Sequence, residues 1–427
     1  MTGEGRRTIL VLAYSISPVR GSEYAVGWNY VTHMSHDHDL VVLYGLAGDH
    51  MGDVEEMAAV TPEQFGGHVT FVPVLPDARA RIANHLNRTG RVPFSFYVAY
   101  RYWHLSALAA ARRILAERQI DIVHYLCPIG FREPGYLWRL NRPYIWGPIG
   151  GIAPRPVRAF MGLSLADGLR TIVRNLVNNV QFKFGRRVRQ GILNSDVLLA
   201  ATTENALAVE RVYRRAPIVV PENAIEPAAR ARHRSSANGV PLRMAWVGTI
   251  EKRKAITILL RALADLDRPG LWSLAVIGDG PLLVDAMQEA RSLGIDRGIE
   301  WLGKISRQQA VERFYHTDVH VLTSLAEANT TVLWEAMSAG VPTVAIDHCG
   351  MHDSICDSCG VRVPLGTIKE TSRGFAEAFN RLIDDPQAVE RLSNGAIACA
   401  ERYSWRHRVA FWTDIYDLAV ATHGHAR

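Results

Sequence analysis

VHVLTSLAEANTTVLWEAMSAGVPTVA, residues 319–345, sets a short apolar strand, a polar loop, a helix and a second apolar strand end to end. Val319–Leu322 and Pro342–Ala345 lack a polar alternation, as strands covered on both faces do. Between them a helix starts near Thr330 and is closed by Gly340. Strand, helix and strand in that order make a parallel crossover, which is right-handed.

The same unit repeats outward in both directions. Upstream strand-like runs are Thr8–Tyr14, Leu40–Tyr44, Val69–Val74, Ile120–Tyr125, Tyr144–Trp146, Val197–Ala201, Ile218–Val220, Leu242–Val247, Ser273–Ile277 and Ile299–Leu302, and Val361–Val363 follows downstream. Longer helical patterns separate them, so the chain is α/β with two doubly wound, Rossmann-like units in series. Pro221–Pro241 has Pro, Ser, Asn and Gly with no apolar period, and marks the break. The expected domains are therefore 1–225 and 240–400. Beyond them, Ser404 caps a helix over 404–420 whose residues Trp405, Val409, Trp412, Tyr416 and Ala419 need a face to bury.

Composition narrows the class. The chain has 427 residues, 48% hydrophobic and 21% charged, which excludes disorder and coiled coil. No apolar run reaches the ~18–20 residues of a membrane span, so a cytoplasmic protein is expected. Five cysteines argue against a disulfide framework, and Cys356-x-x-Cys359 lacks a second ligand pair for zinc, so free thiols are expected. The net charge of +6 is uneven. Residues 1–225 hold 25 Lys+Arg against 18 Asp+Glu, and the rest holds 23 against 24. Within 151–190 eight cations face one acid, Asp167, and are interleaved with apolar residues. Such a stretch suits an anionic membrane surface or a phosphate-bearing partner; the alternative is that Leu163–Val180 is helix core. No nucleic-acid recognition motif accompanies the charge.

Ligands of doubly wound sheets bind beyond the carboxyl ends of the strands, and two such domains place a cleft between them. Gly21 stands in the loop after the first strand, at a helix start suited to a phosphate. Lys252, Arg253 and Lys254 follow the strand Leu242–Val247, where they can neutralise a diphosphate. Thr330 and Thr331 lie at the positive end of a helix dipole, Glu335 can accept hydrogen bonds from ribose hydroxyls, and Glu327 reaches beyond the phosphates. No G-x-G-x-x-G follows any strand, which disfavours a nicotinamide or flavin cofactor. No D-x-D motif ends a strand, and His36-Asp37-His38-Asp39 reads as a solvated loop, so neither metal nor cofactor is expected.

Glu327-x7-Glu335 with AMSAGVPTVA, VGTIEKRKAITILLRAL, IGDGP and Gly350, joined by IDIVH (120–124), VPENAIE (220–226) and YSWRHRVAFWTDIY, resembles the family 4 retaining glycosyltransferases of GT-B fold. SEYAVGWN and WGPIGG resemble a bacterial subgroup linked to surface polysaccharide assembly. The resemblance implies a hexosyltransferase that uses a nucleotide-diphosphate sugar. It implies that Lys254 binds the diphosphate, Glu335 the ribose, Glu327 the transferred sugar's hydroxyls and Gly21 a phosphate, and that His124 approaches the donor sugar through its side chain or its backbone. Glu327, His124 and Lys254 are thus the expected catalytic residues, and Gly21, Arg253, Lys254, Thr330, Thr331 and Glu335 the expected donor-binding ones. It further implies that the 404–420 helix returns to the N-terminal domain. The expected acceptor is a glycan or polyprenyl-diphosphate-linked sugar at the inner membrane face. Three positions depart from the family pattern: Thr249 replaces an arginine, whose charge contact is either missing or supplied by Lys252 or Arg253, Ala328-Asn329-Thr330 replaces Gly-Phe-Gly, and Ala255 replaces a glycine. A GT-B epimerase or phosphorylase, or a noncatalytic nucleotide-binding partner, would use the same donor site.

Overall fold

The computed structural model describes residues 6–21, 23–46, 55–92, 95–226, 239–266, 268 and 270–424. Most of the expected break, residues 227–238, lies outside them, as does Ser22 beside Gly21. Among the described residues thirteen strands form two parallel sheets. The first holds β1 (Thr8–Ala13), β2 (Asp39–Gly45), β3 (Val69–Val74), β4 (Ile122–Cys127), β5 (Tyr144–Ile149), β6 (Val197–Ala200) and β7 (Ile218–Val219), in the order β3-β2-β1-β4-β5-β6-β7. The second holds β8 (Leu242–Val247), β9 (Trp272–Ile277), β10 (Ile299–Gly303), β11 (Val319–Leu322), β12 (Thr343–Ile346) and β13 (Gly360–Val363), in the order β10-β9-β8-β11-β12-β13. Each sheet reverses direction of growth once, between β1 and β4 and between β8 and β11. At such a reversal the loops leaving the two strands diverge to opposite faces and open a crevice.

The chain divides into two compact units. One comprises Met1–Ala153, Asn178–Asn223 and Arg408–Arg427, and the other Pro154–Val177 and Ala224–His407. Two departures from a simple halving have clear causes. Residues 154–177, expected in the N-terminal domain, belong to the second unit. Ala159 and Phe160 enter its core, Gly162 lies against Ile368, and Lys252 Nζ meets the Asp167 carboxylate at 2.7 and 2.9 Å. The helix Trp405–Thr422, in turn, completes the first unit from Arg408 onward. Trp412 packs on Tyr30 and His124 with ring centroids 5.6 and 4.9 Å apart, and the Tyr416 hydroxyl bonds that of Tyr30. His38, expected in a solvated loop, is buried against Tyr416 in the same cluster.

The helix Leu165–Phe184 is amphipathic in the inverse sense. Its buried residues include Asp167, Thr171 and Asn178, while Leu165, Leu169, Ile172, Val173, Leu176, Val177, Val180 and Phe184 are exposed, 79% for Leu165 and 77% for Phe184. These exposed positions follow helical spacing and make one continuous stripe. Asn175 holds the polar side by receiving the Arg155 N–H at 3.0 Å and donating to its carbonyl at 2.9 Å, and the Asn178 amide donates to the Gly151 carbonyl at 2.9 Å. The alternative of an apolar helix core over Leu163–Val180 is therefore overturned, because the backbone groups this helix must satisfy draw its polar side inward.

Candidate active site

The second unit brings Arg253, Lys254 and Glu327 together at the β8/β11 reversal. Leaving β8, the chain passes Gly248 and makes a short turn over Lys252–Lys254, and Ala255 there adopts φ +45°. That left-handed backbone favours glycine, which accounts for the family preference that Ala255 breaks. Gly278, on the loop after β9, has φ +142°, and a Cβ there would come within 1.9 Å of the Gly248 carbonyl oxygen. IGDGP thus lets the β8 and β9 loops touch through backbone.

The loop after β11 is sewn to the loop after β8. Trp246 Nε1 donates to Thr323 Oγ1 at 3.0 Å, and Thr323 Oγ1 donates to the Lys254 carbonyl at 2.7 Å. The Leu325 N–H donates to the Arg253 carbonyl at 2.8 Å, and Arg253 Nη1 to the Ala326 carbonyl at 3.1 Å. Backbones fixed in this way deliver three charged side chains to one point. Glu327 Oε1 receives Arg253 Nη1 at 2.5 Å and also pairs with Lys254 Nζ. Lys254 is only 8% exposed. Burial opposes the charge on Arg253, but Glu327 and Glu251 outweigh it and shift the guanidinium upward. Lys254 also lies close enough to the buried His320 to reinforce the effect of burial, which lowers that imidazole to about 3.

Thr330 is the buried N-cap of the helix Thr331–Ser338, and its side chain makes no capping hydrogen bond. Glu335 projects from the second turn with a largely buried carboxylate; burial raises its pKa, and Arg307, at 2.6 Å, partly offsets this. Arg307 opens the helix Arg307–Phe314 after β10 and has no counterpart among the expected residues. Lys252, a possible substitute for the missing family arginine, instead holds Asp167, which leaves Arg253 as the second cation.

The other two expected residues belong to the first unit. Gly21 is exposed before the helix Glu23–Met34, with no heavy atom within 4 Å of where a Cβ would stand. Nothing in the fold there demands glycine. The His124 side chain is closed off from solvent, which leaves its backbone for the expected approach to the donor sugar. It lies inside β4 with 0% exposure, its Nδ1 3.3 Å from the Tyr30 hydroxyl and its Nε2 3.0 Å from the Gly147 carbonyl. Burial lowers it to about 4, so its side chain is a neutral core group that joins β4 to the C-terminal helix.

Residues 229–398 match the sequence model of the family described as "Glycosyl transferases group 1". A D-inositol 3-phosphate glycosyltransferase of Saccharomonospora viridis is 31% identical over 323 residues, covering 68% of this chain and 72% of the relative. The chain belongs to the group 1 glycosyltransferases. Solved structures share the GT-B fold of this glycosyltransferase. A lipopolysaccharide outer core galactosyltransferase, WaaB, has a TM-score of 0.62 at 16% identity, covering 98% of each chain. HepE of Anabaena, solved with UDP and glucose, has a TM-score of 0.57 at 15% identity, covering 96% of this glycosyltransferase and all of the neighbour.

Proposed function

We propose that this glycosyltransferase moves a hexose from a nucleotide-diphosphate sugar to a glycan or lipid-linked acceptor, with retention and without a metal ion, in cell-envelope glycan assembly. The convergence of Arg253 and Lys254 on Glu327 carries the proposal. Two cations held on fixed backbone, beside a helix start with no side-chain cap, form a preorganised cradle for a dianionic leaving group. The donor diphosphate takes Lys254 and Arg253 from Glu327, whose carboxylate then serves the sugar hydroxyls, and Glu335 takes the ribose. The bond from anomeric carbon to phosphate oxygen breaks, the acceptor oxygen bonds the same face, and its proton passes to the departing phosphate. Gly21 is assigned to phosphate contact by resemblance, supported by the open space at its Cα.

Thermal shift with UDP, GDP and ADP tests the donor half. One of them is expected to raise the melting temperature of the wild type, and Glu335→Ala to weaken its binding about 10- to 100-fold, the worth of a hydrogen bond to a charged group. No shift with any of the three would sink the donor site. Product analysis with and without acceptor separates transfer from epimerisation, phosphorolysis or mere binding.

The acceptor half rests on the inverted helix. Its apolar stripe, flanked by exposed Arg170, Lys183, Arg186 and Arg189, has the chemistry of an interfacial membrane helix. Among the described residues no helix is long and apolar enough to cross a membrane, and the proposed association is peripheral, at the inner face. The S. viridis relative is named for D-inositol 3-phosphate; the acceptor proposed for this chain is lipid-linked because of this stripe. Arg187 is left out, since it pairs with Glu133. Changing Arg186 and Arg189 to Ser is expected to weaken binding to phosphatidylglycerol vesicles about thirtyfold, at ~1 kcal/mol per cation. Equal sedimentation of variant and wild type with vesicles would remove the membrane claim.

A further inference from the structure

Cys399 brings a third thiol to Cys356-x-x-Cys359, and all three are free, as expected. It comes from the helix Pro386–Arg402, and its Sγ lies 3.4 Å from that of Cys356, which lies 3.2 Å from that of Cys359. The sulfurs of all three lie within 4.8 Å of one another. The approach is built into the chain. A turn closed by the Cys359 N–H on the Cys356 carbonyl at 3.0 Å folds the pair together just before β13. The helix rests on that turn through Gly395, where a Cβ would fall 1.7 Å from the Ser358 carbonyl oxygen. Cys359 and Cys399 are buried, and Cys356 is open to solvent.

We propose that Cys356, Cys359 and Cys399 bind one Zn2+ through three thiolates, with the fourth position open on the solvent side of Cys356. Zinc–sulfur bonds of about 2.3 Å in a tetrahedron set the sulfurs about 3.8 Å apart, a few tenths of an ångström wider than the two separations seen here. A disulfide would need about 2.05 Å and would leave the third thiol without a role. Soft thiolates select zinc over calcium or magnesium. Binding converts three thiols to thiolates and releases three protons to solvent, and no oxidant or reductant is involved. The ion would staple the helix Pro386–Arg402 to the segment that follows the helix Cys349–Ser354. The site is separate from the donor residues and stands or falls independently of them.

The full chain, purified with reductant and stripped by a chelator, is titrated with Co2+ as a coloured stand-in and then with Zn2+. The proposal expects one cobalt per chain, a sulfur-to-cobalt charge-transfer band that Zn2+ abolishes, and a rise in melting temperature with Zn2+. Cys356→Ser, at the exposed position, and Cys399→Ser should each weaken binding on the order of a hundredfold or more, while Cys349→Ser, outside the cluster, should bind as wild type does. Three results would overturn it: substoichiometric metal with no band, a band that survives Cys356→Ser, or a Cys356–Cys359 disulfide in the isolated chain with no metal uptake after reduction.

Discussion

Lys254→Met is expected to lower kcat/KM for the nucleotide sugar about 10²- to 10³-fold while leaving the fold intact. The substitution keeps the apolar stem of a side chain that is almost wholly buried, and removes only the ammonium paired with Glu327. Glu327 retains Arg253 at 2.5 Å, so no unpaired carboxylate is left in the interior and the stability cost stays small. Under the proposed role of Lys254 the leaving group, in contrast, loses one of its two fixed cations, and removing one preorganised charge partner costs two to three orders of magnitude in rate. Steady-state kinetics paired with a melting curve check this. Glu327→Gln gives the complementary pattern under the proposed roles: turnover falls while the donor constant changes little. Equal and small effects of the two substitutions would contradict the division of labour between them.

Gly350→Ala is expected to cost about 3 kcal/mol, the upper end for an overpacked position, and to lower the melting temperature by roughly 6–12 °C. A Cβ at Gly350 would lie 1.7 Å from the Ala328 carbonyl oxygen and 2.4 Å from Asn329 Oδ1. Both belong to the loop that carries Glu327, so the methyl group must displace that loop. A shift of about 1 Å can cost a hundredfold in rate, and the loss should persist at temperatures where the variant is fully folded. Full activity per folded molecule would mean that the loop accommodates the methyl group without moving Glu327.

Most strands were legible in the sequence because the sheets are largely covered on both faces, which makes those strands mainly apolar runs. β3, β8 and β11 match their expected bounds, and the other strands differ by a few residues at their ends. Arg253, Lys254 and Glu327 were legible for a related reason: a doubly wound sheet exposes the loops after its strands, and these residues follow β8 and β11. His124 was not. A histidine in the middle of a strand and one at its mouth look alike in sequence, and the distant Trp412 and Tyr416 help to bury this one. The placement of 154–177 and the meeting of Cys399 with Cys356 depend on contacts between distant parts of the chain, which no local pattern encodes. The helix Leu165–Phe184 shows the converse limit. Its period was visible, but periodicity gives an apolar side without saying which way that side faces.

The passage of the last helix into the first unit has a consequence for biosynthesis. Tyr30 and His124 are synthesised well before Trp412 and Tyr416, which close over them. Domains commonly fold in order of synthesis, but here the nascent first sheet must wait, with an aromatic wall missing, until translation of the second is finished. Chaperone demand during elongation, and sensitivity to a premature stop anywhere before residue 408, should therefore concentrate on the first unit.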